Sequence, residues 1–416
     1  MPEQNRHTSA LTVLTILFFM WGLITSLNDI LVPHLKAVFT LNYVQASLIQ
    51  FSFFTAYFIM SFPSGRLVER LGYKRGIIFG LLTAGVGCLL FLPAASAQSY
   101  PAFLAALFIL ASGITLLQVA ANPYVNVLGS PESAASRLNM TQAFNSLGTT
   151  VGPLVGSVTI LAIGAGAVEG LSSAAAEADS VKTPYLVLAG LLFAIAIVIG
   201  LFRLPKITHG EPSDGAAAGQ HSLFAHRHLV FGVIGIFCYV GAEVSIGSYL
   251  VSLMGQPDIA GLPSEQASKY LSLYWGGAMV GRFIGSVLMR SIRPNRILAF
   301  NALTIVALLA VAIGVGGHVA MWALILIGLF NSIMFPTIFS LALEGLGNLT
   351  SKGSGLLCMA IVGGAVMPLL QGFFADRVGL LLSFAVPLVC YLYITWFGAR
   401  GYRADESKVV RQAVEP

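Results

Sequence analysis

The sequence predicts an all-α membrane protein of 12 transmembrane helices in two six-helix, pseudo-symmetric bundles. Three observations carry that reading: scarce charge, basic residues confined to one side, and an internal repeat. Only 22 Lys or Arg and 17 Asp or Glu occur in 416 residues, 9% of the chain, against about 25% in soluble domains. Hydrophobic residues make up 56% and the mean hydropathy is +0.84. A membrane helix uses about 20 residues, so twelve use about 240 and leave short connectors. This composition excludes a soluble enzyme, and the net charge of +5 marks orientation rather than a nucleic-acid partner.

Apolar runs bounded by charges or by Gly, Pro and Ser clusters place the spans near 10–33, 45–66, 75–95, 101–128, 138–165, 183–204, 229–254, 267–289, 296–316, 319–343, 354–375 and 379–399. The first is too long for a signal-peptide core, lacks a small-residue cleavage site, and carries Asn28 and Asp29. It is expected to stay as a helix. Lys36 separates the first two spans, the cluster from Arg66 to Arg75 the second and third, and Arg137 the fourth and fifth. The longest polar connector runs from Pro205 to Arg227, which divides the chain into a bundle at 1–204, a cytoplasmic linker at 205–228 and a bundle at 229–416. Beyond it, Arg290, Arg293 and Arg296 close the eighth span, Lys352 precedes the eleventh and Arg377 the twelfth.

Cytoplasmic loops are enriched in Lys and Arg. With both termini inside, 17 of the 22 basic residues fall on the cytoplasmic side, and only Lys36, Lys182, Lys269 and Arg377 fall outside. Arg282 is left within the eighth span. The expected location is the inner membrane of a bacterium, with many passes and cytoplasmic termini. Cys88, Cys238, Cys358 and Cys390 all sit in apolar stretches without a CxxC or a Cys/His cluster, so they read as small core residues and no metal is expected. The histidines fall in loops, termini or helix ends, and His226-Arg227-His228 reads as a solvated face entering the seventh span. A Walker A loop is lacking, which leaves ATP drive without support.

The halves repeat at a spacing near 214 residues: Asp29 with Glu243, Pro123 with Pro336, Gly148 and Pro153 with Gly363 and Pro368, Arg70 with Arg290. Such repeats mark transporters whose bundles move about a central site. The prolines in the fourth, fifth, tenth and eleventh spans predict bending points.

The run Gly65-Arg66-Leu67-Val68-Glu69-Arg70-Leu71-Gly72-Tyr73-Lys74-Arg75 joins a glycine, a carboxylate and a basic cluster. It resembles the cytoplasmic loop motif of the major facilitator superfamily, whose charges latch neighbouring helices. The resemblance implies gating for Arg66, Glu69, Arg70 and Arg75; obedience to the charge-orientation rule alone is the other reading. Further strings are Leu27-Asn28-Asp29-Ile30-Leu31-Val32-Pro33, Gln118-Val119-Ala120-Ala121-Asn122-Pro123-Tyr124, Gln142-Ala143-Phe144-Asn145-Ser146-Leu147-Gly148, Tyr239-Val240-Gly241-Ala242-Glu243-Val244-Ser245, Gly277-Ala278-Met279-Val280-Gly281-Arg282-Phe283 and Phe330-Asn331-Ser332-Ile333-Met334-Phe335-Pro336-Thr337. Together they resemble the fucose/galactose/glucose:proton symporter family over nearly the whole chain. That likeness implies a twelve-helix major facilitator fold and symport of a neutral hexose.

Asp29 within a span costs roughly 2.5–3.5 kcal/mol on insertion scales, and groups at such cost are usually functional. A carboxylate snorkelling to the nearby interface is the alternative. In fucose-type members the matching aspartate is implicated in proton coupling, which the resemblance carries to Asp29. Those members also have an acid in the fourth span where this chain has Gln118, a group that pairs with a hydroxyl but cannot titrate. A two-carboxylate relay is therefore in question, and the glucose/galactose branch looks like this chain there.

Gln118 and Asn122 share a helix face, as do Asn139, Gln142 and Asn145. Amides suit sugar hydroxyls because they both donate and accept without a permanent charge; interhelical glue is the competing role. In the second half Tyr239 and Glu243 share a face, Trp275 and Arg282 lie seven apart, and Asn331 sits in the tenth span. Arg282 lies about 12 Å of helix inside Arg290 and needs a partner, for which Glu243 is the candidate in either a structural or a transport pair. Trp21 and Trp275 suit either core packing or a sugar face. The expected sugar set is thus Asn28, Gln118, Asn122, Gln142, Asn145, Tyr239, Glu243, Trp275 and Asn331, with Asp29 coupling the cation. No cofactor beyond a co-transported proton or sodium ion is expected, and no obligate protein partner: the bilayer and the hexose are the partners, and the chain is expected to be a monomer. Open alternatives are sodium coupling, a fucose-type deoxysugar substrate, a lipophilic-drug exporter on fold alone, and, in a different class, a nontransporting membrane sugar sensor.

Overall fold

The computed structural model describes the backbone at 3–38, 43–97, 99–166, 182–202, 204–205 and 223–403. It describes side chains at 8–26, 48–49, 51–97, 99–152, 182–202, 204–205 and 223–403. Among the described residues twelve helical stretches follow one another: α1 Glu3–Val38, α2 Tyr43–Leu71, α3 Tyr73–Ser96, α4 Tyr100–Val127, α5 Ala134–Gly166, α6 Lys182–Leu201, α7 Arg227–Met254, α8 Ser264–Leu288 and α9 Pro294–Val315, then three interrupted ones. Of these, α10 consists of Gly317–Asn331 and Met334–Leu343; α11 of Thr350–Met359 and Gly363–Val378 about a 3-10 turn at Ala360–Val362; α12 of Leu380–Ser383 and Ala385–Trp396, ending in a π turn at Phe397–Gly401. Each expected span lies on one of these stretches. The chain is a multi-pass membrane protein, with nine described stretches long and apolar enough to cross a bilayer.

Proline explains the break in α10. Pro336 has no N–H and its ring crowds the carbonyl four residues back, which is Ser332, the first of the two residues between the pieces. Between α2 and α3 the connector is the single residue Gly72, at φ 82°. An L side chain strains there, so glycine permits the shortest reversal.

The chain forms two compact units, Met1–Leu128 with Phe144–Ile207, and Gly129–Ala143 with Thr208–Pro416. The loop after α4 and the first turns of α5 therefore belong with the second unit. There Ser136 donates to the Ser286 carbonyl at 2.7 Å, and Asn139 Nδ2 donates to Ala135 O at 2.9 Å and Thr337 Oγ1 at 3.1 Å.

Close packing of small residues holds each unit, as expected where lipid supplies no hydrophobic drive between helices. In the first unit Gly80 and Gly113 let the α3 and α4 backbones touch, and a Cβ on Gly80 would come within 2.7 Å of the Leu117 nitrogen. A Cβ on Gly148 of α5 would strike the Phe19 carbonyl of α1; one on Gly363 of α11 would strike the Phe237 carbonyl of α7. The two glycines expected as repeat partners thus make equivalent crossings in the two units. The side chains left accessible are largely aliphatic, such as Ile197 at 62% and Leu201 at 80%, as lipid contact requires.

All four cysteines are free and buried. His228 departs from the expected solvated face: it is 3% exposed, and its Nε2 lies 2.9 Å from the Glu344 carbonyl. Because that carbonyl can only accept, Nε2 carries the hydrogen. The ring fastens the start of α7 to the end of α10, a long-range contact that loop composition does not announce.

Candidate substrate-binding site

In the first unit, α4 buries Gln118, 8% exposed, and Asn122, fully enclosed. The Gln118 Oε1 has no protein partner among the described residues, so it can accept from a ligand hydroxyl without breaking an existing bond. Asn145 of α5 donates through Nδ2 to the Phe18 carbonyl of α1 at 2.9 Å. One function of that amide is therefore to tie α5 to α1, and its oxygen remains as an acceptor. Gln142, 7% exposed, lies in the stretch of α5 that belongs with the second unit. Asn28 and Asp29 lie outside the residues whose side chains are described. Helix α1 runs on to Val38, beyond the expected end near residue 33, so the helix does not finish close to Asp29. Trp21 is 9% exposed and packs against Phe18, with ring centroids 5.4 Å apart.

In the second unit Tyr239 is 1% exposed. Among the described residues its hydroxyl makes no hydrogen bond of ordinary geometry, although the Glu243 carboxyl stands beside it, one helical turn along α7. Glu243 keeps part of its surface accessible. Arg282 of α8 is within electrostatic reach of that carboxyl, and its Nε donates to the Ser332 carbonyl of α10 at 2.9 Å. Ser332 O is the acceptor that Pro336 leaves without a helical donor. Arg282 thus has a backbone anchor besides its carboxylate neighbour.

Asn331 is fully enclosed: Nδ2 donates to the Tyr274 hydroxyl at 3.2 Å, and Oδ1 accepts from the Tyr391 hydroxyl at 2.6 Å. This amide cross-links α8, α10 and α12, and its oxygen is already engaged. Trp275, by contrast, is 45% exposed. It stands edge-on to Tyr274 and against Gly247 of α7, where a Cβ would lie 3.1 Å from the indole. Gly247 leaves the indole room beside α7, and the open ring suits the C–H face of a pyranose.

The loop cluster resolves into different roles. Arg66 lies over the Phe62 ring, 4.5 Å from its centroid, while Glu69, Arg70 and Arg75 are exposed. Lys74, not among the expected gating residues, donates to the Gly200 and Phe202 carbonyls at 2.7 and 2.9 Å, capping α6. Tyr124 adds a bond to the Pro205 carbonyl at 2.8 Å and stacks on Tyr73. Sequence reasoning missed Lys74, Tyr274, Tyr391 and the Ser332 carbonyl; only the last had a signal, the proline four residues on.

A cavity of about 410 Å³ opens between α8, α9 and α10, lined by Ile284, Leu288, Phe300 and Leu329, with Arg296 and Ser332. Its mostly aliphatic wall offers little to a hydroxylated solute, and it includes none of the expected sugar-binding side chains.

Comparison with known proteins agrees with this architecture. The Major Facilitator Superfamily model matches residues 14–360. The glucose/galactose transporter of Brucella abortus is 56% identical over 402 residues, 97% of this chain and 96% of that protein. The L-fucose-proton symporter of Escherichia coli is 37% identical over 410 residues, 95% of this chain and 93% of that protein. A crystal structure of the E. coli fucose:proton symporter superimposes with a TM-score of 0.86 at 34% identity, over 95% of this chain and 98% of that one. The chain belongs to the Major Facilitator Superfamily, within the family that holds these glucose/galactose and L-fucose transporters.

Proposed function

We propose that the protein imports a neutral hexose, glucose or galactose, by proton symport through alternating access. It is a transport protein and not an enzyme. The observation that carries the substrate class is the 56% identity, across 97% of the chain, to a glucose/galactose transporter. The site chemistry supports it: Gln118, Asn122, Gln142 and Asn145 supply amides, Tyr239 a hydroxyl with no partner of ordinary geometry among the described residues, and Trp275 an open ring. Asn28 and Asn331 complete the set, Asn331 by holding Tyr274 and Tyr391 in place.

Asp29 is the coupling group, taking a proton from the outer side and giving it up inside. The bundles 1–204 and 229–416, joined by the cytoplasmic linker 205–228, rock about the bound sugar, with Arg66, Glu69, Arg70 and Arg75 latching one end state. An empty or fully loaded carrier reorients; a half-loaded one does not, which makes the fluxes obligatory partners. The protein works as a monomer in a bacterial inner membrane with both termini cytoplasmic, and needs no cofactor beyond the transported ion.

The test is uptake of radiolabelled glucose and galactose into proteoliposomes under a pH gradient or, separately, a sodium gradient. Accumulation driven by pH, abolished in Asp29→Asn while exchange persists, is the expected result. Drive by sodium alone would replace the ion, and sugar binding without any flux would replace the transporter by a sensor.

A further inference from the structure

We propose that Glu243, a carboxyl on α7, is a second proton-binding site of the transport cycle. The inference rests on the transporter reading but uses residues of the second unit alone. Glu243 occupies the place in the second half that Asp29 occupies in the first, 214 residues on.

Its surroundings accept either charge state. On its own helix Tyr239 stands one turn away; from α8 come Arg282 and Tyr274, and from α12 Tyr391. Asn331 of α10 is polar but does not titrate. Helix α11 packs on α7 at Gly241 through Met367 and the Gly363 carbonyl, and presents no titratable group there. The Tyr274 and Tyr391 hydroxyls are both committed to Asn331. The Tyr239 hydroxyl is not so committed, and a phenol can donate to a carboxylate or accept from a carboxylic acid. It therefore serves Glu243 in both forms.

Arg282 keeps a partner in either charge state of Glu243. A buried guanidinium deprived of its counter-ion is costly, and a carboxylate that is its sole partner is held ionised. Here the Ser332 carbonyl, freed by Pro336, holds Nε at 2.9 Å whatever the charge on Glu243. Protonating Glu243 leaves Arg282 with an acceptor in place. Glu243 is half-buried where Tyr239, Tyr274, Asn331 and Tyr391 have almost no accessible surface, so of these groups it is the one that exchanges a proton with water when the carrier opens. The step balances simply: the carboxylate takes a proton from water on the loading side and returns it to water on the other, while Arg282 keeps its own proton.

The test uses the full-length protein with Glu243→Gln and Glu243→Asp. Infrared difference spectra between acidic and neutral buffer, recorded without sugar, are expected to show a carboxylic C=O band that is lost in Glu243→Gln and displaced in Glu243→Asp. In proteoliposomes Glu243→Gln is expected to lose pH-driven hexose accumulation about tenfold more than it loses hexose exchange, and Glu243→Asp to recover part of the drive. Spectra of wild type and Glu243→Gln that coincide would overturn the proposal, as would a Glu243→Gln carrier that keeps both accumulation and the wild-type pH profile. A wild type that moves no hexose would defeat the transporter reading, while the sugar-free spectra would still decide whether Glu243 binds a proton.

Discussion

Arg282 Nε donates to the Ser332 carbonyl at 2.9 Å, joining a charge inside the bilayer to a backbone oxygen that Pro336 releases. Charges within a bilayer are stable only with partners, and because Arg282 and Glu243 are half-buried, removing one of them costs less than the roughly 3–5 kcal/mol of a fully buried pair. Arg282→Met should therefore lower the melting temperature in detergent markedly, because Glu243 loses its cation. The double variant Arg282→Met with Glu243→Gln should recover much of the loss, since no charge is then stranded. A thermal melt of the three proteins checks it, and strictly additive losses would show that the two groups do not interact.

Asn331 is expected to matter for stability before it matters for sugar. Asn331→Ala leaves the Tyr274 and Tyr391 hydroxyls unpaired in the core, at about 1–3 kcal/mol for each buried orphan. Tyr391→Phe removes a single bond, worth about 0.5–1.5 kcal/mol. Melting temperatures should fall in that order, and the reverse order would show that the triad is not what holds α8, α10 and α12 together.

The paired glycines give a comparison with a built-in control. Gly148→Ala and Gly363→Ala each drive a methyl into a backbone carbonyl, of Phe19 and Phe237, and overpacking of this kind costs about 1–3 kcal/mol. At Gly190 on α6 a Cβ meets nothing within 4 Å. Gly190→Ala should fold and melt as wild type does, while the other two should give less folded protein in size-exclusion chromatography.

The reach of the sequence differed between levels of structure. The spans were legible because insertion depends on composition summed over about 20 residues, which neighbouring helices do not alter. The crossings at Gly148 and Gly363 were legible as a repeat spacing, although not as contacts. Lys74 was not separable from Arg75: both are basic residues in the first turn of α3, and only the fold brings the α6 carbonyls to one of them. His228 and Asn331 misled or were incomplete for the same reason, since their partners Glu344, Tyr274 and Tyr391 lie 116, 57 and 60 residues away. Asn139 showed the amide periodicity of a sugar-facing residue, yet it holds Thr337. A helix face is written in local spacing; its neighbour is not.

That separation of Lys74 from Arg75 is itself testable. Hydrogen bonds to a charged group contribute about 1.5–3 kcal/mol, and Lys74 makes two, to Gly200 and Phe202. Lys74→Met should lower the melting temperature, whereas Arg75→Met at its exposed position should leave it near wild type and affect transport instead. Equal melting temperatures for the two variants would remove the capping role.

Glu344 carries a pH signature. Its carboxyl is pushed above the usual carboxylate range by desolvation and by the nearby charge of Glu132. The raised native pKa means that the folded state holds more protons than the unfolded one between the ordinary and the raised value, so stability falls as pH rises through that window. Because the side chain reaches the surface, solvent screening keeps the effect small. Glu344→Gln removes the penalty: the variant should melt slightly above wild type in neutral buffer, and the gap should close on acidification below the ordinary glutamate value of about 4.3. Melting curves of both proteins across that range decide it. A gap that widens in acid would mean that the ionised carboxylate is stabilising, and the sign of the Glu132 interaction would then have to be reversed.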